Sequence, residues 1–212
     1  MSLEFITVPP STGLSPLGLI VVLHGWGANA QDVASLLPLL NLPAYQFVFP
    51  NAPFPYSYSQ AGTGRAWYNL NMENMYQGLT ESREVLTEWM YSLESITGVP
   101  LSRTILSGFS QGGAMTLDVG LKLPMAALVC MSGYLHPGAL NNVETLDATS
   151  LPPVLITHGR QDTIVPLQSA LAACKALESL GVTVQYQEFN MGHEISPEML
   201  ELLRSFVVNT IN

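Results

Sequence analysis

Thr104-Ile105-Leu106-Ser107-Gly108-Phe109-Ser110-Gln111-Gly112-Gly113 is the stretch on which the fold can be read. It opens on a short apolar run, Thr104 to Leu106, and passes through G-x-S-x-G into Ala114 to Leu123, a segment of helical period. A strand that turns this sharply into a helix needs small residues around the turn to avoid collision. The serine at the apex is then held in a strained conformation with its hydroxyl exposed. Behind it, the first amides of the helix lack intrahelical acceptors and, with the helix field, favour a developing oxyanion. G-x-S-x-G alone is a weak pattern. A strand before it, a helix after it and the additional Gly113 make Ser110 the candidate nucleophile rather than part of an ordinary glycine-rich turn.

A serine hydroxyl is a poor nucleophile near neutral pH and needs a base, itself oriented by an acid. On a strand–turn–helix elbow these partners follow in chain order, acid then histidine, each on a loop after a later strand. Downstream of Ser110 stand His136, His158 and His193. His193 follows the last expected strand and precedes the last helix, which suits the base. His136 comes too early for this order, and His158 is expected to pack at the end of the sheet. Asp162 follows the strand Val154–Thr157, one strand before the histidine, and is the expected acid. Asp147 is the runner-up, and Asp118, inside the helix after the nucleophile, reads as a surface charge.

Upstream, the buried run Leu19–Leu23 leads into His24-Gly25-Trp26-Gly27. A loop at this place supplies the second oxyanion donor when the nucleophile sits on such an elbow. The backbone amides of Trp26 and Gln111 are therefore the expected pair, with His24 as a structural histidine.

Outward from these motifs, apolar runs recur at Phe5–Val8, Tyr45–Phe49, Ala126–Met131 and Val182–Phe189. Helical period fills Glu73 to Thr97, with Leu79, Leu86, Trp89, Leu93 and Ile96 on one stripe. Pro166 to Leu180 repeats it with Leu167, Leu171, Cys174 and Leu177, and Gly181 stands where a C-cap belongs. The last helix opens on Ser196 as N-cap and Pro197 at its first position, and buries Met199, Leu202, Leu203, Phe206 and Val207. Alternating strands and helices with nearly continuous apolar strands predict an α/β fold, a mostly parallel sheet covered on both faces. The loop Pro9–Gly18 holds no helix, so the first two strands are expected to lie antiparallel at one edge. Residues 50–72 carry no helical period but hold Phe54, Tyr56, Tyr58, Trp67 and Tyr68, either a substrate wall or aromatics that pin a long loop.

The 212 residues suit one domain, 1–212, and 48% hydrophobic against 11% charged residues excludes disorder. A formal charge of −9 argues against phosphate backbones, so no nucleic-acid partner is expected. Cys130 and Cys174 read as small core residues. Without a signal-like start or a long apolar run, the expectation is a cytoplasmic protein with no integral membrane segment.

Taken together, Leu23-His24-Gly25-x-Gly27, Pro50-Asn51-Ala52-Pro53, Arg65-Ala66-Trp67-Tyr68, Gly108 to Gly113, Met131 to Leu135, His158-Gly159-x-x-Asp162-x-x-Val165-Pro166 and Gly192-His193 resemble the carboxylesterase and acyl-protein thioesterase family, the small lysophospholipase-like branch of the α/β-hydrolase superfamily. The resemblance implies an α/β-hydrolase fold with a mostly parallel central sheet of about seven strands, helices on both faces and no large cap domain. It implies metal-free, cofactor-free hydrolysis of small-molecule esters or thioesters, or of acylated protein, through an acyl-enzyme, and a homodimer. An open site without a lid would be bordered by Trp67, Tyr68, Phe109, Leu135, Ile164 and Met191. Two departures lie on the expected substrate path. The family often has Leu and Asp at positions 26 and 28, where this chain has Trp26 and Ala28, and commonly Asp at position 69, where it has Asn69. A peptidase on the same fold, and a binding protein that has lost its chemistry, are the alternatives.

Overall fold

Every residue of Leu19–Leu23 is buried, and its side chains alternate between two separate apolar cores. Leu19, Val21 and Leu23 belong to one core, Ile20 and Val22 to the other. A strand that feeds two cores must be covered on both faces, which is the condition of a parallel sheet. The computed structural model describes residues 3–56, 62–70, 75–141, 143 and 150–211. Its strands are β1 (Phe5–Val8), β2 (Leu19–Leu23), β3 (Gln46–Pro50), β4 (Phe54–Pro55), β5 (Arg65–Ala66), β6 (Thr104–Phe109), β7 (Ala127–Met131), β8 (Val154–Gly159) and β9 (Val184–Phe189). Among the described residues the main sheet has seven strands, ordered β1-β3-β2-β6-β7-β8-β9, and only β1 runs antiparallel to its neighbour.

The helices divide between the two faces. Helices α1 (Ala30–Ala34), α2 (Leu37–Leu40) and α6 (Pro197–Thr210) cover the Ile20 side, and α3 (Met75–Thr97), α4 (Gln111–Gly120) and α5 (Leu167–Ser179) the Leu19 side. The same alternation runs through β7, where Leu128 and Cys130 face one core and Ala127, Val129 and Met131 the other. No cap domain covers the carboxyl edge of the sheet among the described residues.

The loop 9–18 does not join a hairpin. Strand β1 pairs with β3, Phe5 opposite Pro50 and Val8 opposite Phe47, whereas β2 lies between β3 and β6. The fully apolar β2 needs neighbours on both sides, and the less buried β1 tolerates the edge. Two helix stripes also differ from their expected register. On α5 Ala170, Ala173, Cys174 and Leu177 are buried and Leu171 is exposed, because small side chains let the helix lie close to the sheet. On α3 Ile96 is exposed past the last contact with the core. The caps of α6 follow the expected pattern, the Ser196 hydroxyl accepting from the amide of Met199 at 3.3 Å.

From β2 the chain goes to β3 on one side and, through α3, returns to β6 on the other. The loops leaving β2 and β6 therefore part in opposite directions, opening the crevice where open α/β sheets take ligands. Strand β6 and helix α4 reach this crevice only because glycines let backbone meet backbone. A Cβ on Gly108 would lie 2.3 Å from the Gly112 carbonyl oxygen, and one on Gly112 only 2.4 Å from that of Leu23. At Gly120 an added Cβ would meet a yielding side-chain tip, Leu128 Cδ2, also at 2.4 Å. Gly112→Ala is thus expected to cost more than the ~3 kcal/mol upper range of ordinary overpacking, while Gly120→Ala stays within about 1 kcal/mol, helped by alanine's helix propensity. Urea unfolding of the two variants checks this. Equal destabilisation would show that the elbow can shift.

Candidate active site

Strand β6 and helix α4 meet at Ser110, which adopts φ 56° and ψ −116°. For a residue with a Cβ this is strained backbone, and it persists only where the surroundings over-determine it. The Ser110 amide donates to the Met131 carbonyl at 2.8 Å, tying the turn to β7. Gly25, just past β2, lies against it, with room for a Cβ only 3.5 Å from the Ser110 Cβ.

The loops after β8 and β9 bring the partners. Ser110 Oγ lies 2.9 Å from His193 Nε2, and His193 Nδ1 lies 2.7 Å from Asp162 Oδ2. The other oxygen, Oδ1, accepts from the amides of Ile164 and Val165 at 2.9 and 2.8 Å. Burial would push the Asp162 carboxyl up, but the hydrogen bonds from His193, Val165 and Ile164 outweigh it and hold the group below its ordinary range. An acceptor-only carboxylate requires His193 to carry its proton on Nδ1, leaving Nε2 free to accept from the serine hydroxyl. The Phe109 ring, 4.8 Å from the imidazole between centroids, backs His193 on the side of the sheet.

On the β2 side, His24 Nδ1 lies 2.7 Å from the Gly25 carbonyl, and its Nε2 accepts from the Ala52 amide at 3.0 Å. Burial pushes its pKa down to about 4, against the opposing pull of the Gly25 carbonyl, so this histidine stays neutral and structural. The amides of Gly27 and Ala28 are engaged with the carbonyls of Arg65 (2.9 Å) and Gly25 (3.3 Å). The Trp26 amide lies between these turns, and the Gln111 amide is the first of α4, where no intrahelical acceptor exists.

The profile of the phospholipase/carboxylesterase family matches residues 11–211. The chain belongs to this family. Acyl-protein thioesterase 1 of Gibberella zeae is 27% identical over 199 residues, 87% of this chain and 83% of that protein. Acyl-protein thioesterase 1 homolog 2 of Dictyostelium discoideum is 31% identical over 78% of this chain and 76% of its own length. The crystal structure of esterase PE8 superposes with a TM-score of 0.87 at 29% identity, covering 99% of this chain and all of that one. The chain is accordingly a hydrolase of the carboxylesterase type with the α/β-hydrolase fold.

The family motifs do not all line the cleft. Trp67 and Tyr68, expected at the substrate, are 0% and 1% exposed. The Trp67 indole donates to the His24 carbonyl at 3.0 Å, and its amide to Gln111 Oε1 at 2.9 Å. Gln111 Nε2 in turn donates to the Tyr68 carbonyl at 2.8 Å. So the Gln111 side chain, for which the sequence offered no use, holds the 65–68 segment against the elbow. Met191 is buried too, its carbonyl accepting from the Gln161 amide at 3.0 Å. Phe109 and Leu135 are half-buried, and Ile164 is 69% exposed beside Asp162. The Trp26 side chain, 42% exposed, stacks edge-on against Tyr56 at 4.6 Å. Tyr58 and the alternative acid Asp147 lie outside the described residues.

Asp118 corrects another expectation. It is 1% exposed rather than a surface charge, and its Oδ2 accepts from Arg83 Nε at 2.7 Å and His136 Nδ1 at 2.8 Å. His136 Nε2 meets the Tyr68 hydroxyl at 2.6 Å, which meets that of Tyr134 at 2.6 Å. An aspartate on a helix otherwise free of charge was the one available signal for this network. Burial would raise the Asp118 carboxyl, but its bonds to His136 and Arg83 hold it below the ordinary 3.8. A depressed folded-state value gives stability that is complete above the unfolded pKa and lost as pH falls through the folded one. Asp118→Asn should therefore cost about 3 kcal/mol at neutral pH by stranding its partners, and the deficit should shrink below about pH 4. Urea unfolding of both proteins across pH 2 to 8 checks it, and a deficit independent of pH would refute the assignment.

Proposed function

We propose that the chain hydrolyses carboxylic esters and thioesters through an acyl-enzyme on Ser110. The observation that carries this reading is the unbroken line Asp162–His193–Ser110, with distances of 2.7 and 2.9 Å, ending on a strained serine at the start of α4. His193 Nε2 takes the hydroxyl proton as Ser110 Oγ attacks the acyl carbonyl, while Asp162 fixes the tautomer and stabilises the imidazolium. The amides of Trp26 and Gln111 stabilise the oxyanion. His193 then protonates the leaving alcohol or thiol, and water attacks the acyl-enzyme by the same route in reverse. The names of the fungal and slime-mould relatives support acylated protein as one substrate class, beside small esters. No helix of the described residues is long and apolar enough to cross a membrane. Action in the cytoplasm and assembly as a homodimer belong to the same reading, and sedimentation or light scattering tests the latter.

For the acyl group the proposed apolar contacts are the exposed side chains of Trp26 and Ile164, with half-buried Phe109 and Leu135. Each methylene fully buried there contributes about 0.8 kcal/mol, roughly fourfold in kcat/KM, until the chain outruns the patch. With p-nitrophenyl esters of increasing length, Trp26→Ala, which keeps the backbone amide, is expected to flatten this rise. Equal losses at every length would remove Trp26 from the acyl path.

The mechanism itself is tested at the nucleophile. Ser110→Ala should abolish turnover and fluorophosphonate labelling, and Asp162→Asn should lower kcat by about 10⁴ through the wrong tautomer. Turnover retained by the alanine variant would overturn the reading.

A further inference from the structure

His158 is the penultimate residue of β8, and its side chain is fully buried. It stands four residues before Asp162, and the mechanism above gives it nothing to do. Its Nε2 lies 2.8 Å from the Val165 carbonyl oxygen and 3.3 Å from Asp162 Oδ2. A carbonyl can only accept, so Nε2 must bear a proton and donate it to Val165, with Asp162 Oδ2 in close contact beside that bond. Nδ1, by contrast, is buried with no partner among the described residues. The ring therefore has a use for one proton only, on Nε2. Glu188, opposite His158 in the β8–β9 register, turns instead to Arg160 at 2.8 Å and the Tyr186 hydroxyl at 3.0 Å. It leaves His158 to Asp162.

The donors around the carboxylate leave one place to a close neighbour. Oδ1 accepts from the amides of Ile164 and Val165 and Oδ2 from His193 at 2.7 Å, with His158 Nε2 3.3 Å from that same oxygen. An ionised carboxylate has about four lone-pair positions. Three of them have hydrogen-bond donors, and the polar N–H of His158 lies beside the fourth, the one neighbour that comes neither from the triad nor from the loop's own amides. It braces the loop at both ends, hydrogen-bonded to the Val165 carbonyl and in contact with the Asp162 carboxylate. It also draws charge from the same oxygen that faces His193, so it tempers how strongly the acid pulls on the base.

We propose that His158 is a positioning residue for the reaction, setting both the plane of the Asp162 carboxylate and the share of its charge felt by His193. This rests on the proposed roles of Ser110, His193 and Asp162.

The test compares His158→Leu, which keeps volume but has no N–H, with His158→Gln, whose side-chain amide reaches toward the place of Nε2–H. In the leucine variant kcat should fall about 10- to 100-fold, the scale on which outer partners of metal-bound groups act, with KM unchanged. The acidic limb of its kcat/KM profile should move to higher pH, because a carboxylate relieved of a neighbouring N–H dipole holds the imidazolium more tightly. Glutamine should restore most of kcat and return the limb toward wild type. A leucine variant with wild-type kcat and limb would overturn the proposal, as would a loss of kcat that glutamine does not repair and that leaves the limb in place. Should the leucine variant not fold, ¹⁵N-histidine NMR of the wild-type protein decides. His158 is expected to carry its proton on Nε2 and His193 on Nδ1, and His158 protonated on Nδ1 would overturn it. Ser110→Ala serves as the separate control. If it retains turnover the proposed mechanism fails, whereas an inactive Ser110→Ala beside an unaffected leucine variant sinks only the role of His158.

Discussion

The carbonyl oxygens of Leu23 and His24 stand so close to Gly112 that an added Cβ would come within 2.4 and 2.6 Å of them, and the rest of the site follows from that contact. It lets α4 begin directly over the end of β2, which in turn forces the chain at Ser110 into a left-handed conformation. Strain at one residue is the consequence of close packing at its neighbours. It is held by features far larger than itself, a parallel pairing of β2 with β6 and a hydrogen bond from Ser110 to the end of β7. A side chain at either glycine would separate strand and helix, and the serine could relax. Pre-organisation here is thus a property of backbone distances, with the hydroxyl only the group that they present.

What the sequence disclosed follows the same division. Features set by local backbone chemistry were legible: the strands, the elbow, the cap of α6, and the order Ser110, Asp162, His193 along the chain. Features set by which face a residue turns were not. Asp118 lies on α4, whose every residue is buried, and a lone charge on such a helix must find partners that pattern cannot name. They came from α3 and from the loop after β7, far away in sequence. Trp67 and Tyr68 were legible as important but not as inward-facing, because their anchor is the Gln111 side chain, and glutamine has no periodic signature. The pairing of β1 with β3 was hidden for a related reason. A loop without a helix constrains the length of a connection, not which strand it passes over.

With only 11% charged residues, the chain places a notable share of its ionisable groups inside. Burying such groups is costly unless each is hydrogen-bonded, so they gather in networks. One joins Arg83, Asp118, His136, Tyr68 and Tyr134, and another Asp162, His193, His158 and Ser110. The two lie on different sides of the elbow and meet it at different points. The first reaches Tyr68, whose carbonyl is gripped by Gln111, the residue after Ser110. The second reaches Ser110 itself. A buried carboxylate thus underlies each, held ionised by its donors, and each fixes the orientation of a histidine.

Parallel topology explains why groups so distant in sequence converge. Trp26, Ser110, Asp162 and His193 follow β2, β6, β8 and β9, which all run the same way, so each leaves the sheet at the same edge. Antiparallel β1 delivers its end to the opposite edge and contributes nothing to the site. Direction alone brings the residues to one rim; register brings them into contact. Between β8 and β9 that register is enforced by another backbone approach, since a Cβ on Gly159 would lie 2.2 Å from the Gly192 carbonyl oxygen. The loop carrying Asp162 and the loop carrying His193 are thereby held one against the other before any side chain is considered. The bond between Asp162 and His193 needs little further ordering to form, and a short, part-buried hydrogen bond can therefore hold the imidazole in one tautomer against the serine.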